Sequence, residues 1–237
     1  MENNRGDVMN IKGLQKLTLL DYKGYLAATI FTGGCNFQCP FCHNKDLVMN
    51  PEHIDNIQEE ELFDFLEARQ GKLEAVCITG GEPTLHKDLP LFLEKLRSLD
   101  YKIKLDTNGT NPEVLQELIT NRLVDYVAMD IKNSKPKYST TCGKATLSLR
   151  NIEKSIVYIM QSPCSYEFRT TVARELHTQD DILSICRWIE GAQAYYLQPY
   201  RESEQVINPV YSSYSRNELE HIVTLARQYV ATCDIIG

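Results

Sequence analysis

The sequence predicts an α/β protein built on a buried, parallel β-sheet. Short runs of β-branched and apolar residues alternate with amphipathic stretches of helical periodicity. The order strand, helix, strand recurs about six times, as in right-handed βαβ units. No composition shift or linker divides the chain, so we expect one domain over residues 1–237. Periodicity leaves open whether the sheet closes into a barrel, but in either case ligands bind at the carboxyl ends of the strands.

Six runs are predicted as strands because they are short, rich in β-branched residues and mostly too apolar to face water on one side. They cover residues 25–31, 74–79, 102–107, 126–131, 166–172 and 194–200.

The helices between these strands are predicted from their end signals. Asp88 precedes one amphipathic stretch, and Pro112 stands at the first position of another. Ser215 and Glu218 have the spacing of a capping box at the start of the last helix. Gly71 follows a helical stretch and is predicted to be its C-cap.

Composition and charge restrict the possible partners. The chain has 237 residues, 43% hydrophobic and 24% charged, as in an ordinary globular protein. Its formal net charge of -7 disfavours sequence-independent binding to the phosphate backbone of nucleic acid. No apolar run approaches the roughly 20 residues of a membrane span, and residues 1–10 lack the apolar core of a secretory signal. We therefore expect a cytoplasmic protein that binds neither nucleic acid nor membrane.

Three of the eight cysteines lie close together after the first predicted strand. Cys35, Cys39 and Cys42 form the pattern CxxxCxxC within "GGCNFQCPFCHN". This clustering indicates a metal or cluster site rather than disulfides. The other five are scattered singly and are interpreted as packing or exposed thiols: Cys77, Cys142, Cys164, Cys186 and Cys233.

A set of three thiolates is unusual for a structural metal site. Structural zinc takes four ligands, and His43, next to Cys42 in sequence, is poorly placed to complete a tetrahedron. A 4Fe–4S cluster held by three cysteines leaves one iron open to an external ligand. The pattern therefore favours a cluster that performs chemistry over a closed structural site.

Further unusual residues follow the next strands. Gly80 and Gly81 allow a close backbone approach, and the carboxylate of Glu82 can accept a hydrogen bond from a cationic amine. Lys132 alternates with Asp130, so both side chains face the same way in a strand. Taken alone, such residues also fit an ordinary turn, helix caps and a solvated lysine.

A charge inside an otherwise apolar strand is costly to bury without a partner. Arg169 lies within the run "YEFRTTV", and we therefore expect it to belong to the site. Gln198 and Tyr200 on the last predicted strand, and Arg201 just after it, are equally consistent with core and rim positions.

Taken together, the motifs resemble those of one family. CxxxCxxC is the signature of the radical S-adenosylmethionine (SAM) superfamily, and "TGGEPT", "LDTNGT" and "AMDIK" resemble its glycyl-radical-enzyme activases. From about Leu19 to Arg201 the chain is similar to the anaerobic ribonucleoside-triphosphate reductase activating proteins, which are close to pyruvate formate-lyase activating enzyme. A C-terminal helix at about 215–235 follows this core.

The resemblance implies a fold and an activity. The fold is a partial (β/α)6 barrel whose parallel sheet is open on one side. The activity is reductive cleavage of SAM at a 4Fe–4S cluster, followed by removal of a glycine α-hydrogen from a partner enzyme. The implied partners are anaerobic ribonucleotide reductase and a flavodoxin or ferredoxin-type electron donor. No side chain is required as a general acid or base.

The resemblance also implies the site residues. The cluster ligands are Cys35, Cys39 and Cys42. The residues that bind SAM are Phe41, His43, Gly80, Gly81, Glu82, Asp106, Lys132, Arg169 and Gln198. A Na⁺ or K⁺ ion is implied at Asp106, Thr107, Met129 (through its carbonyl) and Asp130.

Three alternatives remain open. The target could be pyruvate formate-lyase or another glycyl radical enzyme. The chain could instead be a radical SAM enzyme acting on a small molecule, similar to 7-carboxy-7-deazaguanine synthase. From a different class, it could be an iron-sulfur or zinc module without catalysis, which metal analysis and a SAM-cleavage assay distinguish from both enzymes.

Overall fold

Strands and helices alternate along residues 9–237, which are the residues that the computed structural model describes. The strands are β1 (Ile11–Thr18), β2 (Ala27–Thr32), β3 (Ala75–Gly80), β4 (Lys102–Thr107), β5 (Tyr126–Asp130), β6 (Ser165–Val172), β7 (Tyr195–Pro199) and β8 (Cys233–Ile235). The α-helices are α1 (Lys45–Met49), α2 (Glu59–Glu67), α3 (Leu89–Ser98), α4 (Pro112–Thr120), α5 (Tyr138–Thr141), α6 (Arg150–Gln161), α7 (Gln179–Trp188) and α8 (Arg216–Ala226). None of the helices within residues 9–237 is long and apolar enough to cross a membrane. Residues 1–8, on which the expectation about a signal sequence partly depends, lie outside the described residues.

The described residues divide into two compact units. The first unit comprises the chain up to Asn36, Asp46–Asp106 and Glu113–Tyr126. The second unit comprises Phe37–Lys45, Thr107–Pro112 and Val127–Gly237. The single domain expected over residues 1–237 stays a prediction.

The first unit is built on β1, β2, β3 and β4, which are neighbours in that order. β2, β3 and β4 pair in parallel, and β1 pairs antiparallel with β2 at the edge. The residues Ala75 to Ile78 of β3 are all buried, as expected for a strand covered on both faces. In α2 and α3, leucines and a phenylalanine form the buried faces, and the Phe63 and Phe92 rings meet edge to face at 5.7 Å.

The second unit contains β5, apart from its first residue, and β6, β7 and β8 as successive neighbours. β6, β7 and β8 pair in parallel. Amphipathic helices α6, α7 and α8 each bury an apolar stripe. The predicted α/β class with a mostly parallel sheet is therefore confirmed.

All six predicted strands are present, with ends that differ by at most two residues from the predicted ranges. Two more strands occur in the described residues. β1 lies at an edge with several exposed residues, so it lacks the apolar run that marked the others. β8 has three residues and is too short to give a pattern.

Two predicted helix ends are wrong. The last helix does not extend to residue 235, because α8 ends at Ala226 and the chain then enters β8. Gly71 is not a C-cap, because α2 ends at Glu67 with Ala68 as its cap. Gly71 instead adopts a φ of 73° in the turn that follows. The Ser215–Glu218 capping box and Pro112 at the start of α4 are confirmed.

Candidate functional site

In the first unit, the turn before Cys35 packs against the turn after β3. The Glu82 amide donates a hydrogen bond to the Gly34 carbonyl at 2.8 Å. A Cβ atom on Gly81 would lie 1.8 Å from that same carbonyl oxygen, so only glycine fits there. Gly80 has a φ of 113° and lies equally close to the Thr32 backbone. The two glycines of the GGE motif therefore let its backbone approach the start of the cysteine loop.

Glu82 is buried and its carboxylate is oriented by the residues that follow it. Oε1 accepts hydrogen bonds from the Thr84 amide at 3.1 Å and the Thr84 hydroxyl at 2.5 Å. His86, just beyond, is hydrogen-bonded to the Gly33 backbone, while burial lowers its pKa. Its buried Nε2 has no hydrogen-bond partner among the described residues.

In the second unit, the cysteine loop is held by two later segments of the chain. On one side, the Gln38 amide donates to the Cys142 carbonyl at 3.0 Å, and Gly143 approaches Gln38 too closely for a Cβ atom. On the other side, residues 205–208 run along the loop, where the Ile207 amide donates to the Cys42 carbonyl at 3.1 Å. Neither segment was expected to contact the loop.

The cysteine thiols have different surroundings. A hydrogen bond from Cys142 is the main cause that lowers the pKa of Cys39, and the Lys132 ammonium adds to it against the effect of burial. Burial raises the pKa of Cys42. Cys39 is buried, whereas Cys35 and Cys42 are partly accessible, and none of the three is in a disulfide. Cys142, interpreted from the sequence as an ordinary packing thiol, therefore contacts one of the predicted cluster ligands.

The aromatic residues of the loop lie in the second unit. Phe41 is buried, and its ring contacts that of His177 at 6.2 Å. His43 Nε2 lies 2.6 Å from the Arg201 carbonyl, and its ring is 5.8 Å from that of Tyr200. Gln198 lies half-buried on β7, two residues before Tyr200.

A group of ion pairs lies at the end of β5. Asp130 Oδ2 accepts a hydrogen bond from Lys132 Nζ at 2.8 Å, and Oδ1 accepts one from Arg169 Nε at 3.0 Å. Arg169 also faces Glu167 at 3.8 Å. Burial works to raise the pKa of Asp130, but Lys132 and Arg169 outweigh it and lower the pKa to about 2. Burial opposes the charge of Lys132 too, yet Asp130 raises its pKa well above the ordinary value.

His177 holds the backbone beside this group. It is fully buried, with Nε2 2.8 Å from the Lys132 carbonyl and Nδ1 3.2 Å from the Ala173 amide nitrogen. Burial lowers the pKa of His177, which favours the neutral ring that such a pair of contacts requires. No motif singled out His177, because it is 45 residues from its partner in sequence.

The remaining predicted residues divide between the units. In the first unit, Asp106 pairs with Lys104 at 2.7 Å. In the second unit, the Thr107 hydroxyl accepts a hydrogen bond from the Gly109 amide at 3.1 Å. Met129 is buried, and its side chain lies against Gly109 so closely that a Cβ atom there would clash.

The donor set of the cysteine loop fits a 4Fe–4S cluster. A cubane cluster takes one thiolate per iron, so its ligands do not converge on one point. The Tyr200 hydroxyl, beside His43, is buried without a hydrogen-bond partner among the described residues, as is His86 Nε2. Such orphaned polar atoms next to the motifs are what a bound polar cofactor would satisfy.

The chain matches known proteins over most of its length. Residues 29–166 match the model of the Radical SAM superfamily. Over 230 residues the chain is 33% identical to a Methanocaldococcus jannaschii protein named "Putative glycyl-radical enzyme activating enzyme MJ1227", covering 93% of this chain and 92% of that one. A second protein of that organism, named "Putative glycyl-radical enzyme activating enzyme MJ1632", is 30% identical. The match covers 78% of this chain and 68% of that protein.

Other similarities are shorter or more distant. The 7-carboxy-7-deazaguanine synthase of Halobacterium salinarum is 34% identical over 38% of this chain and 36% of that enzyme. Among solved structures, TYW1 with a lysine-pyruvate adduct has a TM-score of 0.62 at 14% identity. The match covers 86% of this chain and 74% of the TYW1 chain. Streptococcus suis SuiB bound to S-adenosylmethionine has a TM-score of 0.62 at 15% identity. The match covers 86% of this chain and 48% of the SuiB chain. These structures share the fold.

Proposed function

Because this chain belongs to the radical SAM superfamily, and within it to the family of glycyl-radical enzyme activating enzymes, we propose that it installs a glycyl radical on a partner enzyme. The partner that we propose is anaerobic ribonucleoside-triphosphate reductase. A flavodoxin or a ferredoxin-type protein would deliver the electron. Membership in the superfamily implies that the enzyme uses a 4Fe–4S cluster and SAM.

One observation of the site carries the proposal. Backbone hydrogen bonds to Cys142 and residues 205–208 fix the part of the cysteine loop that lies in the second unit, and the charges of Lys132 and Asp130 influence the pKa of Cys39 and Cys42. A loop that carries three thiolates and is held beside ionised side chains is suited to a cluster with one open iron. The nearly full-length similarity to an activating enzyme favours an activase over enzymes that match a shorter part of the chain.

We propose specific roles for the residues of the site. When bound, the cluster would supply the electron for reductive cleavage of the C5′–S bond of SAM, the chemistry by which a glycine hydrogen atom would be removed. Cys35, Cys39 and Cys42 hold the cluster. SAM is bound by the loop residues Phe41 and His43, the motif Gly80, Gly81 and Glu82, and the strand residues Asp106, Lys132, Arg169 and Gln198.

The proposed contacts follow from the chemistry of the side chains. The Lys132 ammonium has three donors, so it can hold Asp130 and still donate to the SAM carboxylate. The Glu82 carboxylate, with several acceptor positions, is oriented by Thr84 to receive the SAM amine. Positioning of this kind replaces acid or base catalysis, since hydrogen atom transfer needs no general base.

The test is formation of the radical on the partner. The anaerobically reconstituted enzyme is mixed with the reductase, SAM and a chemical reductant, and the mixture is examined by EPR. We expect a glycyl radical signal that appears only when the reductase glycine is present and that is lost in the reductase variant with alanine there. A pyruvate formate-lyase sample serves as the competing target.

The second candidate is a radical SAM enzyme acting on a small molecule, which the similarity to 7-carboxy-7-deazaguanine synthase favours. SAM cleavage that proceeds without any glycyl radical on either protein target, and that increases when a purine precursor is added, would support this candidate against the activase.

A further inference from the structure

Each carboxylate expected to bind a monovalent cation already has a lysine as its partner. Asp106 is the fifth residue of β4, and Lys104, two residues earlier, points to the same face. Lys104 Nζ lies 2.7 Å from Asp106 Oδ1. The lysine side chain is only 4% exposed, and that of Asp106 only 15%. A lysine buried to this degree requires an anion, so this pair is a fixed part of the first unit.

The second carboxylate is paired even more completely. In the second unit, both oxygens of Asp130 are occupied, Oδ2 by Lys132 and Oδ1 by Arg169. Glu167 faces the other side of Arg169. The four side chains contain two carboxylates and two cations, so the group is neutral without a metal ion.

These pairs decide whether the implied Na⁺ or K⁺ fits. A monovalent cation stabilises a carboxylate by supplying one positive charge at short distance, and a lysine ammonium supplies the same charge as a compact point. A cation added beside Asp106 or Asp130 would place a like charge next to the ammonium of Lys104 or Lys132, which is unfavourable. Each of the two carboxylates expected to hold the cation, Asp106 in the first unit and Asp130 in the second, therefore fits the ion poorly in this chain.

We propose that the Lys104 ammonium takes the charge-balancing role of the monovalent cation, so that this enzyme binds SAM without Na⁺ or K⁺. Lys132 and Arg169 provide the corresponding balance at Asp130. The inference depends on SAM binding, which the superfamily implies, and not on which protein receives the radical.

The first test is a salt series on the wild-type enzyme. SAM affinity is measured by equilibrium binding to the reconstituted protein in KCl, NaCl and choline chloride, each at about 100 mM to keep screening constant. We expect the three dissociation constants to agree within about twofold, since no ion enters the site. SAM affinity that falls in choline chloride and returns with K⁺ would overturn the proposal.

The second test removes the ammonium. In Lys104→Met, Asp106 keeps its charge but loses the neighbouring ammonium, so we expect SAM to bind about tenfold more weakly in choline chloride than in KCl or NaCl. Lys102→Met is the matched control, because Lys102 lies on the same strand and face but is half exposed and pairs with Asp125. It should remain insensitive to the cation.

A double variant separates this role from a loss of folding. Lys104→Met combined with Asp106→Asn removes both charges, so its SAM affinity should again be independent of the cation. If the single and the double variant both bind SAM weakly, and each with the same dissociation constant in all three salts, Lys104 does not replace a cation. Because SAM binding is the readout, failure to activate the reductase would leave this conclusion unaffected.

Discussion

At the scale of single residues, the site is organised by partners that lie far away in sequence. Cys39 receives a hydrogen bond from Cys142, and the Lys132 carbonyl lies against His177. The cluster ligands could be predicted from the sequence because their spacing is local. Cys142 and His177 could not be predicted, since neither has a neighbouring residue that marks it and only the folded second unit brings them to the loop and strand.

The three loop cysteines should be equally essential. Cys35→Ala, Cys39→Ala and Cys42→Ala each remove one proposed iron ligand, so we expect the reconstituted iron content to fall and SAM cleavage to decrease at least about 100-fold. Iron analysis and the yield of 5′-deoxyadenosine measure both effects. Cys164→Ala is the control, because Cys164 is partly exposed, lies outside the cysteine loop and hydrogen-bonds the neighbouring Ser165 carbonyl. Full activity in any one of the three loop variants would show that the assignment of ligands is wrong.

Asp130 should make the stability of the protein depend on pH. Its pKa is lowered from 3.8 to about 2 by Lys132 and Arg169 against the effect of burial. A carboxyl group whose pKa is lower when folded stabilises the protein above pH 4 and loses this contribution as the pH falls through about 2. In Asp130→Asn we expect the free energy of unfolding at neutral pH to drop by roughly 2 kcal/mol.

Denaturant unfolding across this pH range provides the measurement. The variant should lose less stability on acidification than the wild type, because it has no carboxyl group there to protonate. Asp64→Asn, at an exposed position of α2, is the control and should behave like the wild type. Identical pH profiles for Asp130→Asn and wild type would contradict the assigned role.

At the scale of elements, the two capping boxes of the second unit differ in what they support. Thr178 and Asp181 cap α7, while Ser215 and Glu218 cap α8. Asp181 also accepts hydrogen bonds from Ser134 and Lys137, which lie in the segment between Lys132 and Cys142. The box on α7 therefore joins a helix start to the chain segment that reaches the cysteine loop.

Loss of Asp181 should accordingly do more than loosen a helix. In Asp181→Ala we expect the free energy of unfolding to fall by about 2 to 3 kcal/mol, since a buried ionised acceptor with several donors is removed. The Gln38 amide, which donates to the Cys142 carbonyl, should also exchange its hydrogen faster. Glu218→Ala removes the exposed box as a control and should leave the exchange of the Gln38 amide unchanged. If the Gln38 amide exchanges its hydrogen at the same rate in both variants, Asp181 acts only as a helix cap.

The strands and helix caps also show which structural features can be predicted from the sequence. Six strands were predicted because a strand buried on both faces reads as an apolar run, and the box at Ser215 was predicted because its signal is local. The box at Thr178 was missed because Asp181 stands where the usual signature has Glu or Gln. β8 was assigned to a helix because its pairing with β7 depends on residues far apart in the chain.

At the scale of the whole molecule, charge limits the kind of substrate. The net charge of -7 and the pairing of Lys104, Lys132 and Arg169 with carboxylates leave those site cations balanced rather than directed at phosphates. We therefore expect the substrate to be a neutral peptide segment rather than a nucleotide polymer. Glycine is the residue that a peptide can present most closely, because it has no side chain to clash.

The last prediction follows from this choice of substrate. A peptide with the sequence around the glycine of a glycyl radical loop, deuterated at the glycine α-carbon, should transfer deuterium to 5′-deoxyadenosine when the reconstituted enzyme cleaves SAM. Mass spectrometry measures the label, which should increase with the amount of SAM consumed. The same peptide with alanine at that position is the matched control and should transfer much less. The transferred atom comes from the substrate itself. If deuterium reaches 5′-deoxyadenosine only from a deuterated purine precursor, and never from the peptide or the intact reductase, the activase proposal is wrong and the small-molecule enzyme is supported.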